Sequence, residues 1–394
     1  MTCSHCQEPL PDVALYCSKC GWPTQAGRGA RRDAYAVQPT ENVVQLALVS
    51  TVMPHTNRVT GNRYRWALAI AVVIVAVFTL TGLLPAAIVS AAFAVPIVYL
   101  LYLYDLNVWE DTPGPFVGLV IVLTLVLGAL ITLVFYEWVF DNQYFELAAK
   151  ATLGQLNELP IGPFLIFVVL LPVVAEIAMN VGPVILARMP KFDDMIDGLT
   201  LGVAAGTAYA AAETIVSYRS VFSGPLHTTQ GIGNWIPVIL SLMIVKSLVY
   251  GTATGIAVAA FSGKGEGYDG FTGRYFRELL LAIVALVLYW GGVRLLAYAD
   301  YGVWLGLIWG LIVLALLIVR IRVVLHTALL EAALEDAAAS RRGKAAVVDG
   351  GWCPDCEMPL LPDALFCVAC GQSVRATSQQ VRRQLREPGI GGAA

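Results

Sequence analysis

Long apolar runs constrain the fold of this chain more than any other feature of its sequence. A helix of about 20 apolar residues matches the hydrocarbon thickness of a bilayer. The chain has 394 residues, of which 58% are hydrophobic and 13% charged, whereas soluble domains carry about 25% charged residues. Eight runs are long enough to cross: Trp66–Leu84, Ala86–Tyr104, Phe116–Phe135, Ile161–Ala187, Ile196–Tyr218, Trp235–Phe261, Glu278–Ala297 and Val303–Leu325. The sequence therefore predicts an all-α polytopic membrane protein with about eight transmembrane helices, the first two joined at Pro85.

The distribution of basic residues predicts the orientation of these spans. Lys and Arg near the ends of spans mark the cytoplasmic side. The segment before the first span is rich in arginine, and the loops on the same side hold Arg188, Lys191 and Arg274. The opposite loops carry mainly Lys150 and Arg219. We therefore expect a plasma-membrane protein with both termini in the cytoplasm.

The cysteines form an internal repeat at the two ends of the chain. The segments CSHCQEPLPDVALYCSKCG and CPDCEMPLLPDALFCVACG share the pattern C-x2-C-x10-C-x2-C. Two such turns present four thiolates to one tetrahedral ion, and the filled set makes the site structural. Disulfides are the alternative, which a reducing cytoplasm disfavours. We predict two zinc ribbons, with His5 at the surface, and these ligands: Cys3, Cys6, Cys17, Cys20, Cys353, Cys356, Cys367 and Cys370.

Composition divides the rest of the chain around the membrane domain. We expect a zinc ribbon over 1–25, a linker over 26–64, the transmembrane domain over 65–325, a cytoplasmic helix and linker over 326–350, a second ribbon over 351–374 and a disordered tail over 375–394. The ribbons carry little net charge, which argues against nucleic acid and favours a cytoplasmic protein partner. Their candidate contact residues, which alternatively cover the metal, are Leu15, Tyr16, Trp22, Leu365 and Phe366.

Three ionisable residues lie inside predicted spans, where a charge is costly and marks a functional site by default. Glu176, Glu213 and Lys246 occupy three consecutive spans. Counting from the nearest cytoplasmic ends at 1.5 Å per residue, they lie about 18, 24 and 22 Å deep. They therefore share one layer of the membrane. Asn180 falls on the helical face of Glu176, four residues on.

The segment that carries the two glutamates resembles the core of the PrsW family of polytopic membrane proteases, related to the CAAX-processing membrane proteases. The resemblance covers 161–261, in the run AEIAMNVGPVILARMPKFDDMIDGLTLGVAAGTAYAAAETI. Glu176 matches the second Glu of the family's Glu-Glu pair, and Glu213 matches the Glu of the next element. The matching loop and helix residues are Phe192, Asp193, Asp197, Gly198, Tyr209 and Ala210. The resemblance implies cleavage of membrane-embedded or membrane-proximal peptide bonds, with a metal held by Glu and His.

The sequence departs from the family pattern at the positions that would hold the metal. Ala175 replaces the first Glu of the pair, Thr214 the usual Asn, and Lys246 stands where a later span carries His. An ammonium group repels a cation, so the simplest arrangement is a Glu–Lys–Glu cluster without metal. The outer-loop His227 is not expected to substitute, because its position places it outside the bilayer.

Four interpretations remain open on the sequence. In an active intramembrane protease, Glu176 is base or ligand, Glu213 a ligand or water-orienting group, and Lys246 an electrostatic aid. In an inactive PrsW-like scaffold, the spans bind membrane lipid and a membrane-protein partner while the ribbons recruit cytoplasmic proteins. A transporter would use the charges as a proton or substrate site, although no inverted repeat is visible. In the fourth interpretation, the three charges satisfy each other and serve only to specify helix packing.

Overall fold

The computed structural model describes residues 1–24, 63–105, 114–139, 164–189, 192, 195–226, 232–263, 269–297, 299, 301–342, 353 and 358–371. Most of the predicted linker, the whole predicted tail, Asp193, His227 and Cys356 lie outside the described residues. The chain divides into two compact units. The terminal unit comprises Met1–Pro54, Gly263–Tyr268 and Arg322–Ala394, and the helical unit comprises His55–Ser262 and Asp269–Ile321.

Most of the described residues of the membrane domain are helical. The helices are α1 (Arg63–Leu80), α2 (Leu84–Asp105), α3 (Gly114–Val134), α4 (Leu171–Leu186), α5 (Met195–Ser217), α6 (Arg219–Phe222), α7 (Ile232–Leu240), α8 (Ser247–Ser262), α9 (Gly273–Leu296) and α10 (Gly302–Arg342). Three π-helical turns extend them: Phe135–Val139 follows α3, Ile166–Leu170 precedes α4, and Ser241–Lys246 joins α7 to α8.

Six continuous helical segments among the described residues are long and apolar enough to cross a membrane. They are Pro115–Glu137, Ile166–Leu186, Met195–Ser217, Gly233–Ser262, Gly273–Leu296 and Gly302–Leu325. Each matches one of the predicted spans, and together they are the helices of an integral membrane protein. The first two predicted spans appear as shorter apolar helices, Arg65–Leu80 and Leu84–Tyr99, so the count of eight crossings stays a prediction.

The link between α1 and α2 lies earlier than the sequence suggested. The break falls at residues 81–83, where Gly82 adopts a positive φ of 77°, a conformation that suits glycine. Pro85, which we expected in the link, lies in the first turn of α2. Proline fits that turn because its missing N–H would have no helical partner there.

The centre of the helical unit is a close contact between α5 and α8. A Cβ added at Gly202 would lie 2.7 Å from the Cα of Gly255, and one at Gly206 would lie 2.7 Å from the Cα of Gly251. Small residues spaced four apart on both helices let the two backbones touch. The small-residue face predicted on the fifth span therefore packs against the sixth span, and fixes α5 beside the helix that follows Lys246.

Two of the π-helical turns adjoin prolines and lead to the polar residues of interest. Pro172 lies at the start of α4, directly after the turn that ends at Leu170. Pro237 lies within α7, and the turn that follows ends at Lys246. A proline removes one helical hydrogen bond, and a π-helical turn absorbs such a defect and is frequent at functional sites.

Candidate functional site

Glu176 lies in a polar group built from three helical positions. Its side chain is 0% exposed. The Asn180 side chain donates from Nδ2 to Glu176 Oε1 at 2.8 Å, and to the main-chain oxygen of Glu176 at 2.8 Å. Thr254 of α8 donates from Oγ1 to Glu176 Oε2 at 3.1 Å. Both carboxyl oxygens thus have a donor, which offsets the cost of burying them.

Lys246 and Glu213 form a separate ion pair. Lys246 Nζ lies 3.5 Å from Glu213 Oε2, and both side chains are 2% exposed. That contact is electrostatic, since Oε2 makes no hydrogen bond. Lys246 Nζ instead donates to Thr214 Oγ1 at 3.0 Å, and Thr214 Oγ1 donates to the main-chain oxygen of Ala210 at 2.7 Å. Lys246 is therefore held by one carboxylate and one hydroxyl of α5.

The structure brings together two of the three predicted residues rather than all three. Glu176 bonds to Thr254, which lies eight residues, or about 12 Å of helix rise, beyond Lys246. The expected Glu–Lys–Glu cluster is thus a Glu213–Lys246 pair and a separate Glu176 group. The common membrane layer of the three residues stays a prediction, and depth alone does not specify which helix faces carry the side chains.

Sequence reasoning missed Arg294, a cation near the same pair. The Arg294 guanidinium carbon lies 5.3 Å from the centre of the Trp290 ring, and Lys246 Nζ lies 5.4 Å from it. One indole thus adjoins two cations, a favourable contact for each. Trp290 also donates from Nε1 to the Tyr250 hydroxyl at 2.7 Å. In the sequence, Trp290 and Arg294 are one helical turn apart, which indicates that they share a helix face. That pattern is a weak indication of a site because Arg294 lies near the end of its span, where basic residues are common.

The side chains around Glu176 and Glu213 do not fit the metal that the resemblance implies. A catalytic zinc takes about three protein ligands from His, Cys, Asp or Glu. Within the described residues, only the cysteine sets gather three or more such ligands within reach of one ion. Glu176 is bonded by an amide and a hydroxyl, and Glu213 is paired with the ammonium group of Lys246.

The cysteine sets, in contrast, have the dimensions of a metal site. Cys3, Cys6, Cys17 and Cys20 place their sulfurs within 4.8 Å of one another. The Sγ–Sγ distances are 3.7 Å for Cys3–Cys20 and 3.5 Å for Cys6–Cys17. Sulfurs at about 2.3 Å from a tetrahedral zinc lie roughly 3.8 Å apart, whereas a disulfide needs about 2.05 Å. The N-terminal set can therefore hold a metal ion and contains no disulfide.

The second set repeats this arrangement. Cys353, Cys367 and Cys370 gather in the same way, with 3.7 Å between the sulfurs of Cys353 and Cys370. The backbone bonds repeat as well: the N–H of Gly21 donates to the Cys17 oxygen, and the N–H of Gly371 to the Cys367 oxygen, both at 2.9 Å. The two sets are thus copies of one small fold.

The local environment tunes the thiols unequally. Burial opposes ionisation of Cys3, but backbone hydrogen bonds from Cys6 and His5 outweigh it and lower the pKa of the Cys3 thiol to about 7. Burial raises the pKa of the Cys20 thiol to about 12. Because a metal binds thiolates, it must supply the free energy to deprotonate such a group, which couples binding to proton release.

The two predicted ribbons pack against each other as a pseudo-symmetric pair. The N–H groups of Leu15 and Tyr16 donate to the oxygen of Val368, at 2.9 and 3.0 Å. The equivalent N–H groups of Leu365 and Phe366 donate to the oxygen of Ser18, at 2.8 and 3.0 Å. Residues of both ribbons share one buried core. We call this module the ribbon pair.

The aromatic side chains complete the symmetry of the ribbon pair. A Cβ at Gly21 would lie 2.8 Å from the Phe366 ring, and one at Gly371 would lie 2.8 Å from the Tyr16 ring. Both glycines also have positive φ. Tyr16 and Phe366, predicted to contact partners, are therefore used within the molecule. Trp22 stays 44% exposed and stacks on the exposed His5 ring at 4.8 Å.

Comparisons with protein-family models, with curated proteins and with solved structures gave no match. The geometry alone therefore defines the chain as an integral membrane protein with paired terminal cysteine modules that can each hold a metal ion.

Proposed function

We propose that this chain is a membrane-embedded binding protein of PrsW-like architecture whose helical unit holds no catalytic metal. One observation carries the proposal: the ammonium group of Lys246 lies 3.5 Å from Glu213 and donates a hydrogen bond to the Thr214 hydroxyl. The residue that replaces the family's histidine thus neutralises the very carboxylate that would have bound a metal beside it.

Two further features support this proposal. Ala175 is buried beside Glu176 and offers no ligand in place of the family's first Glu. Asn180 and Thr254 occupy both oxygens of the Glu176 carboxyl group. A metalloprotease needs several ligands and an open position for water, and these side chains supply one carboxylate. The polar residues instead stabilise a helix arrangement that can bind membrane partners.

In this proposal the ribbon pair holds two structural zinc ions in the cytoplasm. Four sulfur ligands in each complete set favour zinc and leave no open position for catalysis. The exposed Trp22 offers an apolar contact for a cytoplasmic protein, since tryptophan is enriched at interfaces. The membrane helices would contact lipid and a membrane-protein partner.

Metal analysis of the full-length protein tests the proposal. We expect about two zinc ions per chain, from the two cysteine sets. Glu176→Gln should retain both, because Glu176 binds neither. A third ion in the wild-type protein that is absent from Glu176→Gln would overturn the proposal and establish a metal centre in the helical unit.

Intramembrane proteolysis remains the second candidate, and Glu176 is the observation that favours it. A wholly buried carboxyl group with two positioned donors, at the family's acidic position, is the environment of a general acid or base. Coexpression with single-span reporter proteins tests this candidate. A cleaved reporter product that disappears with Glu176→Gln, while the folded variant persists in the membrane, would replace the binding proposal with a protease that needs no metal.

A further inference from the structure

We propose that Lys246 forms a covalent imine with a lipophilic aldehyde held in the cavity that adjoins this lysine. The proposal rests on the binding function proposed above and names a ligand class for the helical unit. The cavity lies beside the π-helical turn that ends at Lys246. The Glu176 group is not involved, since none of its residues lines the cavity.

The cavity beside Lys246 has the size and the walls of a site for an apolar ligand. It encloses about 700 Å³, and small-molecule sites commonly enclose roughly 300–1,000 Å³. Two aromatic pairs line it: the rings of Tyr218 and Trp235 lie 6.3 Å apart, and those of Tyr289 and Trp290 lie 5.4 Å apart. Aromatic walls of this kind favour a ligand whose own surface is mainly apolar.

The amine of Lys246 lies at the wall of this cavity. Lys246 and Trp290 both line it, and Lys246 Nζ lies 5.4 Å from the centre of the Trp290 ring. The same π-helical turn also presents Leu242 to the cavity. Lysines that are desolvated in apolar pockets are the ones that serve proteins as imine-forming nucleophiles. The position of Lys246, with a side chain 2% exposed, has that character.

The hydrogen bonds of Lys246 suit a protonated imine better than an ammonium group. An ammonium group has three N–H donors. Within the part of the chain that the structure describes, Lys246 makes one hydrogen bond, to Thr214 Oγ1. Glu213 Oε2 lies 3.5 Å from Nζ and accepts no hydrogen bond. Buried donors and acceptors without partners are costly. A protonated imine has a single N–H, for which Glu213 Oε2 is a ready acceptor.

Glu213 can carry the proton that imine formation requires. The Lys246 ammonium passes one proton to the Glu213 carboxylate, and a small rotation of either side chain shortens their 3.5 Å separation for this transfer. The free amine then attacks the aldehyde carbon, a C–N bond forms, and a proton moves from nitrogen to oxygen. Glu213 returns its proton to that hydroxyl, the C–O bond breaks, and water leaves. The product is a protonated imine beside a carboxylate, so the net charge of the pair is unchanged.

Reductive trapping on the full-length protein in a non-ionic detergent tests the proposal. The probe is 4-octylbenzaldehyde, and sodium borohydride converts its imine into a stable amine that peptide mass spectrometry locates. Benzaldehyde is the match without the apolar chain, and 4-octylbenzyl alcohol is the competitor that cannot form an imine. Lys19, with a side chain 63% exposed, reports the reaction of a lysine outside any cavity. Lys246→Arg keeps the charge but cannot form the adduct, and Lys19→Arg is the matched control.

We expect about one adduct per chain, on Lys246, at a probe concentration at least about tenfold below the one that labels Lys19, because the cavity holds the aldehyde beside the amine. Benzaldehyde should need a concentration about tenfold higher or more, because it lacks the apolar chain. The alcohol should compete with the probe. Lys246→Arg should lose the adduct, and Lys19→Arg should keep it.

Three outcomes would overturn the proposal: labelling of Lys246 no stronger than that of Lys19, equal labelling by benzaldehyde, or no competition by the alcohol. These comparisons use the unaltered protein, so they decide the matter even where Lys246→Arg fails to fold. Failure here leaves the two-zinc result intact, whereas failure of the proposed function adds a third ion.

Discussion

Replacing Lys246 by methionine leaves the Glu213 carboxylate buried without its cation, and the resulting loss of stability can be worked from the geometry. Unit charges 3.5 Å apart attract by about 5 kcal/mol at an effective dielectric constant of 20. Removing one partner of a buried pair costs about 3–5 kcal/mol in known cases, because the other charge stays unpaired. We expect Lys246→Met to destabilise the protein by a similar amount.

The double variant Glu213→Gln/Lys246→Met separates the free-energy cost of an unpaired charge from the net stabilisation that the ion pair provides. Removing both charges also removes the desolvation cost, so we expect most of the stability to return, to within about 1–2 kcal/mol of the wild type. Reversible unfolding by sodium dodecyl sulfate in mixed micelles, followed by circular dichroism, measures all four members of the cycle. The coupling free energy is the sum of the two single costs minus the cost of the double variant, so it should be at least about 2–3 kcal/mol.

The pair of Arg219 and Glu137 supplies the matched control, since its side chains are 33% and 46% exposed. The same cycle there should give about 0–1 kcal/mol. If the effects of Glu213→Gln and Lys246→Met simply add, the two charges do not stabilise each other. The proposed neutralisation of the carboxylate would then be refuted.

Three further results are expected. Glu176→Gln should lower the free energy of unfolding by less than about 1 kcal/mol, because glutamine keeps an acceptor for Asn180. Glu176→Ala should lower it by about 2 kcal/mol. Equal losses in the same unfolding assay would contradict the described hydrogen bonds. Gly206→Ala should destabilise the protein by about 1–3 kcal/mol, because its Cβ would lie 2.5 Å from a backbone oxygen of α8. The control Gly118→Ala has open space around it and should be neutral. Equal unfolding curves for the two variants would argue against the close contact between α5 and α8. Cys367→Ser lies in the C-terminal ribbon, but it should speed the loss of zinc from the N-terminal ribbon to a chelator by about tenfold or more. The reason is that the N-terminal ribbon loses its packing partner. An unchanged rate would show that the two ribbons are independent.

Local patterns in the sequence predicted the helices well, because a span is defined by a continuous run of apolar residues. Six predicted spans have direct counterparts. Glycine at 82 was the better signal for the first turn than Pro85, since a left-handed residue ends a helix and proline is compatible with starting one. Residue counts placed Glu213 and Lys246 at similar heights along their helices, which agrees with their contact at 3.5 Å.

The side-chain partners were not predictable in the same way. Whether Lys246 meets Glu176 or Glu213 depends on helix rotation, and rotation is set by contacts such as Gly206 against Gly251. Those contacts join residues far apart in the chain. The ribbon pair was likewise missed, although the repeat retains glycine at positions 21 and 371, where each ribbon needs space for the other's ring.

The ribbon pair carries a consequence for the biosynthesis of the chain. Tyr16 leaves the ribosome hundreds of residues before Phe366, so the N-terminal ribbon must wait until every membrane helix has been made. The C-terminal ribbon can then pair with the N-terminal ribbon only when both ends of the chain lie on the same face of the bilayer. That arrangement requires an even number of membrane crossings. Pairing of the ribbons therefore follows the synthesis of the last membrane helix, and a chain with one helix left out of the membrane cannot complete it.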